Sequence, residues 1–201
     1  MKLYNYIILL ILIGGLAFLN GCSKKSNNPL QEETSFSMKV DGRTWNATLT
    51  SMMSDSHENS TWGKYHTLMI NANLIIENNS ASDDEDIETI TFLVQIPDSK
   101  FRNPNGTYPI TSSEEKLDNV FAVFGSTTDT QYSDQFIPIS GTFEITNSKV
   151  GMPKVFGHET GKEGYTEVKG KFQLEMRSIN GNKSIKITDG KFNIKNTLNI
   201  N

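Results

Sequence analysis

Phe36-Ser37-Met38-Lys39-Val40-Asp41-Gly42-Arg43-Thr44-Trp45-Asn46-Ala47 alternates apolar and polar residues on both sides of an Asp-Gly pair. Alternation with period 2 is the mark of a strand with one buried face. Asp-Gly between two such runs marks a tight hairpin, because its primed turn needs positive φ, which glycine adopts without strain. The register that follows puts Met38 opposite Trp45 and Phe36 opposite Ala47, with Leu49 continuing the second run and Trp45 in the core. This hairpin sets the fold class, since the rest of the chain repeats its grammar.

Leu68, Ile70, Ala72, Leu74 and Ile76 alternate with their neighbours, and Ile90, Phe92, Val94 and Ile96 do so beyond a loop from Glu77 to Ile87, so the two runs read as long paired strands. Tyr108 and Ile110 mark a short strand after Asn105-Gly106, and Val120 to Phe124 reads as a strand buried on both faces. Asn180-Gly181 predicts a second hairpin, with Met176 opposite Ile185 and Leu174 opposite Ile187. Beyond it the apolar parity changes from odd (Ile185, Ile187) to even (Phe192, Ile194), so Asp189-Gly190 is either a glycine bulge in one continuing strand or another turn.

An echo, Gly141-Thr142-Phe143, Gly170-Lys171-Phe172 and Gly190-Lys191-Phe192, recurs at unequal spacing and reads as recurring strand starts. No stretch beyond the N-terminal region keeps a helical period for three turns. The expectation is an all-β protein, an antiparallel β-sandwich or barrel-like fold of about eight to ten strands, forming a single domain over residues 35–201. Lys39, Lys169, Lys171, Lys186 and Lys191 are expected on or near strands, where charge discourages edge-to-edge association.

Residues 1–21 have another character: Lys2 as the only charge, an apolar run from Ile7 to Leu19, then small Gly21. That is the order of a secretory signal. The run is shorter than the roughly 20 residues a spanning helix needs. Leu19-Asn20-Gly21-Cys22 resembles the lipobox of bacterial lipoproteins, with Asn20 departing from its usual small or apolar residue. The resemblance implies cleavage between Gly21 and Cys22 and lipid on the Cys22 thiol. Cys22 is the only cysteine in the chain and cannot form an internal disulfide, so anchoring gives the thiol a role. Residues 22–34 are polar and read as the lipidated cysteine and a flexible tether. Without Lys2, 18 basic residues stand against 23 acidic ones, and no basic cluster is interleaved with aromatics, which excludes a nucleic-acid partner.

The opening hairpin, the central Gly106-Thr107-Tyr108-Pro109-Ile110 and the three Gly-x-Phe segments, behind a lipoprotein signal, resemble a family of Bacteroidota lipoproteins carrying an all-β domain of unknown function. The resemblance implies an outer-membrane anchor and supplies no catalytic residues. Surface export in that phylum is associated with acids just after the cysteine. Here Ser23-Lys24-Lys25-Ser26 follows it, which favours the periplasmic face.

Chemistry-bearing patterns are sparse. His57-Glu58 and His158-Glu159 place a base beside a carboxylate, but adjacent strand residues point to opposite faces, and both pairs read as surface loops; His66 completes the histidines. No pair has zinc-helix spacing. Asp83-Asp84-Glu85-Asp86 with Glu88 offers the hard oxygen ligands calcium takes, without the spaced positions of a calcium loop, and reads as a solvated turn. No Gly-x-Ser-x-Gly elbow is present, and no cofactor is expected. Trp62, Tyr65 and Tyr132 lie in or beside expected loops, where aromatic faces would contact a sugar or peptide. The leading expectation is a non-catalytic binding or adaptor module for an envelope protein or glycan. A structural envelope lipoprotein comes next, and a hydrolase of unfamiliar type last.

Overall fold

The computed structural model describes residues 34–76, 86–112, 117–128, 131–155, 158–159 and 161–195. Its strands are β1 (Ser35–Val40), β2 (Arg43–Asn46), β3 (Leu49–Asn59), β4 (Gly63–Ile76), β5 (Asp86–Pro97), β6 (Gly106–Pro109), β7 (Asn119–Thr128), β8 (Gln131–Gly151), β9 (Lys154–Val155), β10 (His158–Glu159), β11 (Gly164–Ser178) and β12 (Ser184–Lys195). Ten form one antiparallel sheet curled into a half-barrel, in the order β2-β1-β12-β11-β8-β7-β5-β4-β3, with β6 also paired to β8. The remaining pair, β9 and β10, is a short separate ribbon. The all-β, barrel-like expectation is therefore met.

Curling brings the two halves of the sheet face to face over a core of phenyl rings. Phe92 of β5 lies 4.7 Å from Phe172 of β11 and 5.0 Å from Phe143 of β8, centroid to centroid. Phe36 of β1 reaches across to Phe92 at 6.3 Å and meets Trp45 edge-on at 5.9 Å. Of the alternating residues named from the sequence, Leu68, Ile70, Ala72, Ile90, Phe92, Val94 and Ile96 are fully buried, whereas Leu74 and Ile76 at the end of β4 are only half-buried. At about 25 cal/mol per Å² of apolar surface removed from water, this inner face dominates the stabilisation.

The opening hairpin has the expected register, Met38 opposite Trp45, with the Ala47 amide donating to the Phe36 carbonyl at 2.9 Å. Asp41 and Gly42 both have positive φ, 48° and 83°, as the primed turn requires. The second hairpin also pairs Met176 with Ile185 and Leu174 with Ile187. Asp189-Gly190 is a bulge in the single strand β12: the β11 ladder jumps from Phe172↔Gly190 to Leu174↔Ile187, and Asp189 takes φ 54°.

Four expectations need correction. Leu49 does not extend β2; it opens β3, which pairs with β4 on the far edge of the sheet. His57-Glu58 lies on β3 and not in a loop, and His158-Glu159 forms β10. Asp86 and Ile87, expected in the loop after β4, belong to β5, where they pair with Ile76 and Ile75. The strand lysines do not guard edges, since β1, β11 and β12 are interior strands. Lys39 bonds Asp189 at 2.9 Å, Lys171 bonds Glu144 at 3.0 Å, and Lys169 lies 3.5 Å from Glu167.

The Gly-x-Phe echo has a packing origin. Gly170 pairs with Phe192 and Gly190 with Phe172, so each glycine leaves room for the ring across the ladder.

Candidate functional site

On β4, the even-numbered residues Lys64, His66, Leu68 and Ile70 share the inward face. Leu68 and Ile70 lie deep in the core, whereas His66 occupies the last covered position before the strand emerges, at 6% exposure. The neighbouring strand β5 ends where Pro97 pairs with Tyr65, and a 3-10 turn, Asp98–Lys100, follows at once. That turn folds Asp98 back over the end of β4. Its Oδ1 lies 2.8 Å from His66 Nε2 and 3.2 Å from Lys64 Nζ. The bond from His66, then that from Lys64, holds the Asp98 carboxyl below its ordinary range.

The imidazole is also fixed from its face. Phe101 stacks on it with centroids 3.9 Å apart and planes inclined by 14°. Tyr165 packs edge-on against Phe101 at 5.3 Å and donates its hydroxyl to the Phe101 carbonyl at 2.8 Å. Burial pushes the Tyr165 phenol above its ordinary range, so it stays a donor. The result is a groove of about 610 Å³ at the mouth of the half-barrel, with Ser56 and Ser99 on its walls. Arg102, Lys162 and Glu163 complete the lining, Arg102 bonding Glu163 at 2.6 Å. Ser56 pairs with His66 across β3 and β4, which places a hydroxyl-bearing residue beside the imidazole–carboxylate pair. Charged and hydrogen-bonding groups held on packed rings suit recognition of a polar ligand carrying negative charge.

The other face of the same hairpin carries an aromatic cluster. Tyr65 stacks on His57, its ladder partner, at 5.2 Å, and Trp62 meets Tyr65 edge-on at 5.5 Å. The turn that presents Trp62 is held by Asn59, whose Oδ1 accepts from the amides of Thr61 at 3.0 Å and Trp62 at 2.7 Å. Gly63 follows with φ 67°. Trp62 and Tyr65, singled out in the sequence, are thus brought together, Trp62 in the turn and Tyr65 beside it on β4. Tyr132 does not join them: it lies on β8, paired with Thr127 at the opposite end of the sheet.

Cys22 and Gly21 lie outside the described residues, as do Asp83, Asp84 and Glu85 of the acidic run. Glu88 is engaged in structure, both its oxygens accepting from the Arg43 guanidinium at 2.7 Å and so joining β5 to β2. Among the described residues, no group of three His, Cys, Asp or Glu side chains is placed to hold a metal ion. Reading by spacing missed His66 and Asp98, which stand 32 residues apart. The available signal was parity, since His66 falls on the same face as Leu68 and Ile70.

Comparison with protein-family models, with curated proteins and with solved structures finds no match for this chain.

Proposed function

We propose that this chain is a lipoprotein of the bacterial envelope, anchored in the outer membrane by lipid on Cys22, whose β-domain is a non-catalytic binding module. The short apolar run, the lone cysteine and the polar segment after it support the anchor. The periplasmic face follows from Lys24 and Lys25, which stand where a surface-export signal would carry acids. Among the described residues, no helix is long and apolar enough to cross a membrane.

The observation that carries the binding reading is the pairing, on one hairpin, of the His66–Asp98 groove with the Trp62–Tyr65–His57 cluster. Charged groups fix the orientation of a ligand, and aromatic faces supply contact area at low entropic cost. An envelope glycan or a polar segment of an envelope protein matches that chemistry. The test is a binding screen of the lipidated protein in detergent against envelope glycans and purified envelope proteins. Trp62→Ala and Tyr65→Ala should each weaken a retained ligand at least tenfold, and unchanged affinity in both variants would remove the hairpin from the site.

A further inference from the structure

We infer that the end of the domain carrying the groove lies against the bilayer, and that its partner there is the lipid headgroup layer. This rests on the lipid-anchor reading and goes further, by orienting the domain.

The orientation follows from the strand ends. Ser35 opens β1 opposite Asn193, near the end of β12, and that end of β12 runs beside the start of β11. Gly164 at the start of β11 pairs with Gly151 at the end of β8. On the other half of the sheet, the Tyr165 amide donates to Ser54 Oγ of β3 at 3.1 Å, and β3 runs from there to the Trp62 turn. The β-domain therefore meets its tether at the same end as the groove and the aromatic hairpin. Twelve residues separate Cys22 from Ser35. At about 3.3–3.6 Å each when fully extended, they let that end rise no more than about 43 Å.

The chemistry of that end suits a headgroup layer. Trp62 and Tyr65 are the aromatic types that partition to the membrane–water interface. Met152, just beyond β8, is 47% exposed. Lys64, Arg102 and Lys162 line the groove with one more positive charge than its two carboxylates supply negative. Cations near lipid phosphates favour one orientation of the tethered domain.

The chain has two tryptophans, and Trp45 is fully buried, so fluorescence isolates Trp62. The lipidated full-length protein is reconstituted into phosphatidylethanolamine–phosphatidylglycerol vesicles with bromine near the acyl carbonyls. Bromolipid should quench the Trp62 emission at least twofold. In Trp62→Phe the remaining Trp45 emission should be unquenched, its blue-shifted maximum reporting an intact core. Replacing phosphatidylglycerol by phosphatidylcholine, or changing Lys64 and Lys162 together to Gln, should reduce the quenching at least twofold. Protein that floats with the vesicles while Trp62 stays unquenched, whether or not it binds a glycan or protein, overturns the orientation and leaves the anchor standing. Protein that neither floats nor carries fatty acid overturns both.

Discussion

Gly190 stands directly across from Phe172 in the β11–β12 ladder, so close that a methyl group on it would meet the phenyl ring at 2.5 Å and the Phe172 carbonyl oxygen at 2.6 Å. The relationship is mirrored two ladder positions away, where Gly170 faces Phe192. Phe172 meets Phe92 of the facing half of the sheet and Phe192 stacks on Phe143, so the glycines govern how the aromatic core packs.

Gly190→Ala and Gly170→Ala should each lower unfolding stability by about 1–3 kcal/mol, the usual cost of forcing extra volume into a packed core. Gly181→Ala is the control: its added methyl meets open space, and only its positive φ of 77° opposes the change, at a cost of about 1 kcal/mol. Urea denaturation of the three variants gives the order. A Gly181 variant less stable than both others would refute the steric account.

A buried polar pair supplies a second test. Thr91 Oγ1 donates to Asn71 Oδ1 at 2.6 Å, and both residues are almost wholly buried. Thr91→Val keeps the shape and removes the donor, leaving a buried amide oxygen short of a partner, at a cost of about 1–3 kcal/mol. The neighbouring pair, Thr89 to Asn73 at 2.7 Å, is only part-buried, so Thr89→Val should cost less. Equal midpoints for the two variants in the same denaturation assay would argue against burial as the cause.

Much of the fold was legible because its strands obey simple alternation. The two Gly-containing hairpins and the pairing of β4 with β5 follow from parity and turn chemistry alone. β3 escaped because it is a polar edge strand: of Leu49 to Asn59 only Met52 is buried, so there is little apolar period to detect. The groove was less legible for another reason. His66 and Asp98 meet because β4 and β5 pair and a 3-10 turn folds back, a relation that sequence distance does not encode. The aromatics could be named beforehand since Trp62 and Tyr65 flank a glycine turn, whereas Tyr132 was grouped with them only by residue type.

The proposed anchor makes its own prediction. Cys22→Ser removes the only thiol in the chain and should abolish incorporation of labelled fatty acid, with the uncleaved precursor accumulating. Because one acyl chain binds a membrane only marginally and stable anchoring needs more than one, the processed wild-type protein should resist extraction by high salt and carbonate. Fatty-acid label persisting in the serine variant would exclude Cys22 as the attachment site.

Glu167, whose side chain is 8% exposed on β11, should contribute to acid sensitivity. Lys149 Nζ lies 2.6 Å from one of its oxygens, and Lys169 Nζ lies 3.5 Å from the other. The hydrogen bond from Lys149 is the main cause lowering the carboxyl below its ordinary value of 4.5; burial opposes it, and the charges of Lys149, Lys169 and Lys195 reinforce it. The unfolded chain therefore takes up this proton at a higher pH than the folded one. The contribution is complete above the unfolded value and is lost as pH falls through the lower folded value. Because Lys149 is 64% exposed, solvent screening limits the pair to about 1 kcal/mol. Glu167→Gln should be less stable than wild type by about that amount at pH 7, and the gap should close towards pH 3. Denaturation midpoints at the two pH values measure it, and a gap that stays constant or widens on acidification would show that Glu167 stabilises the sheet by packing and not by charge.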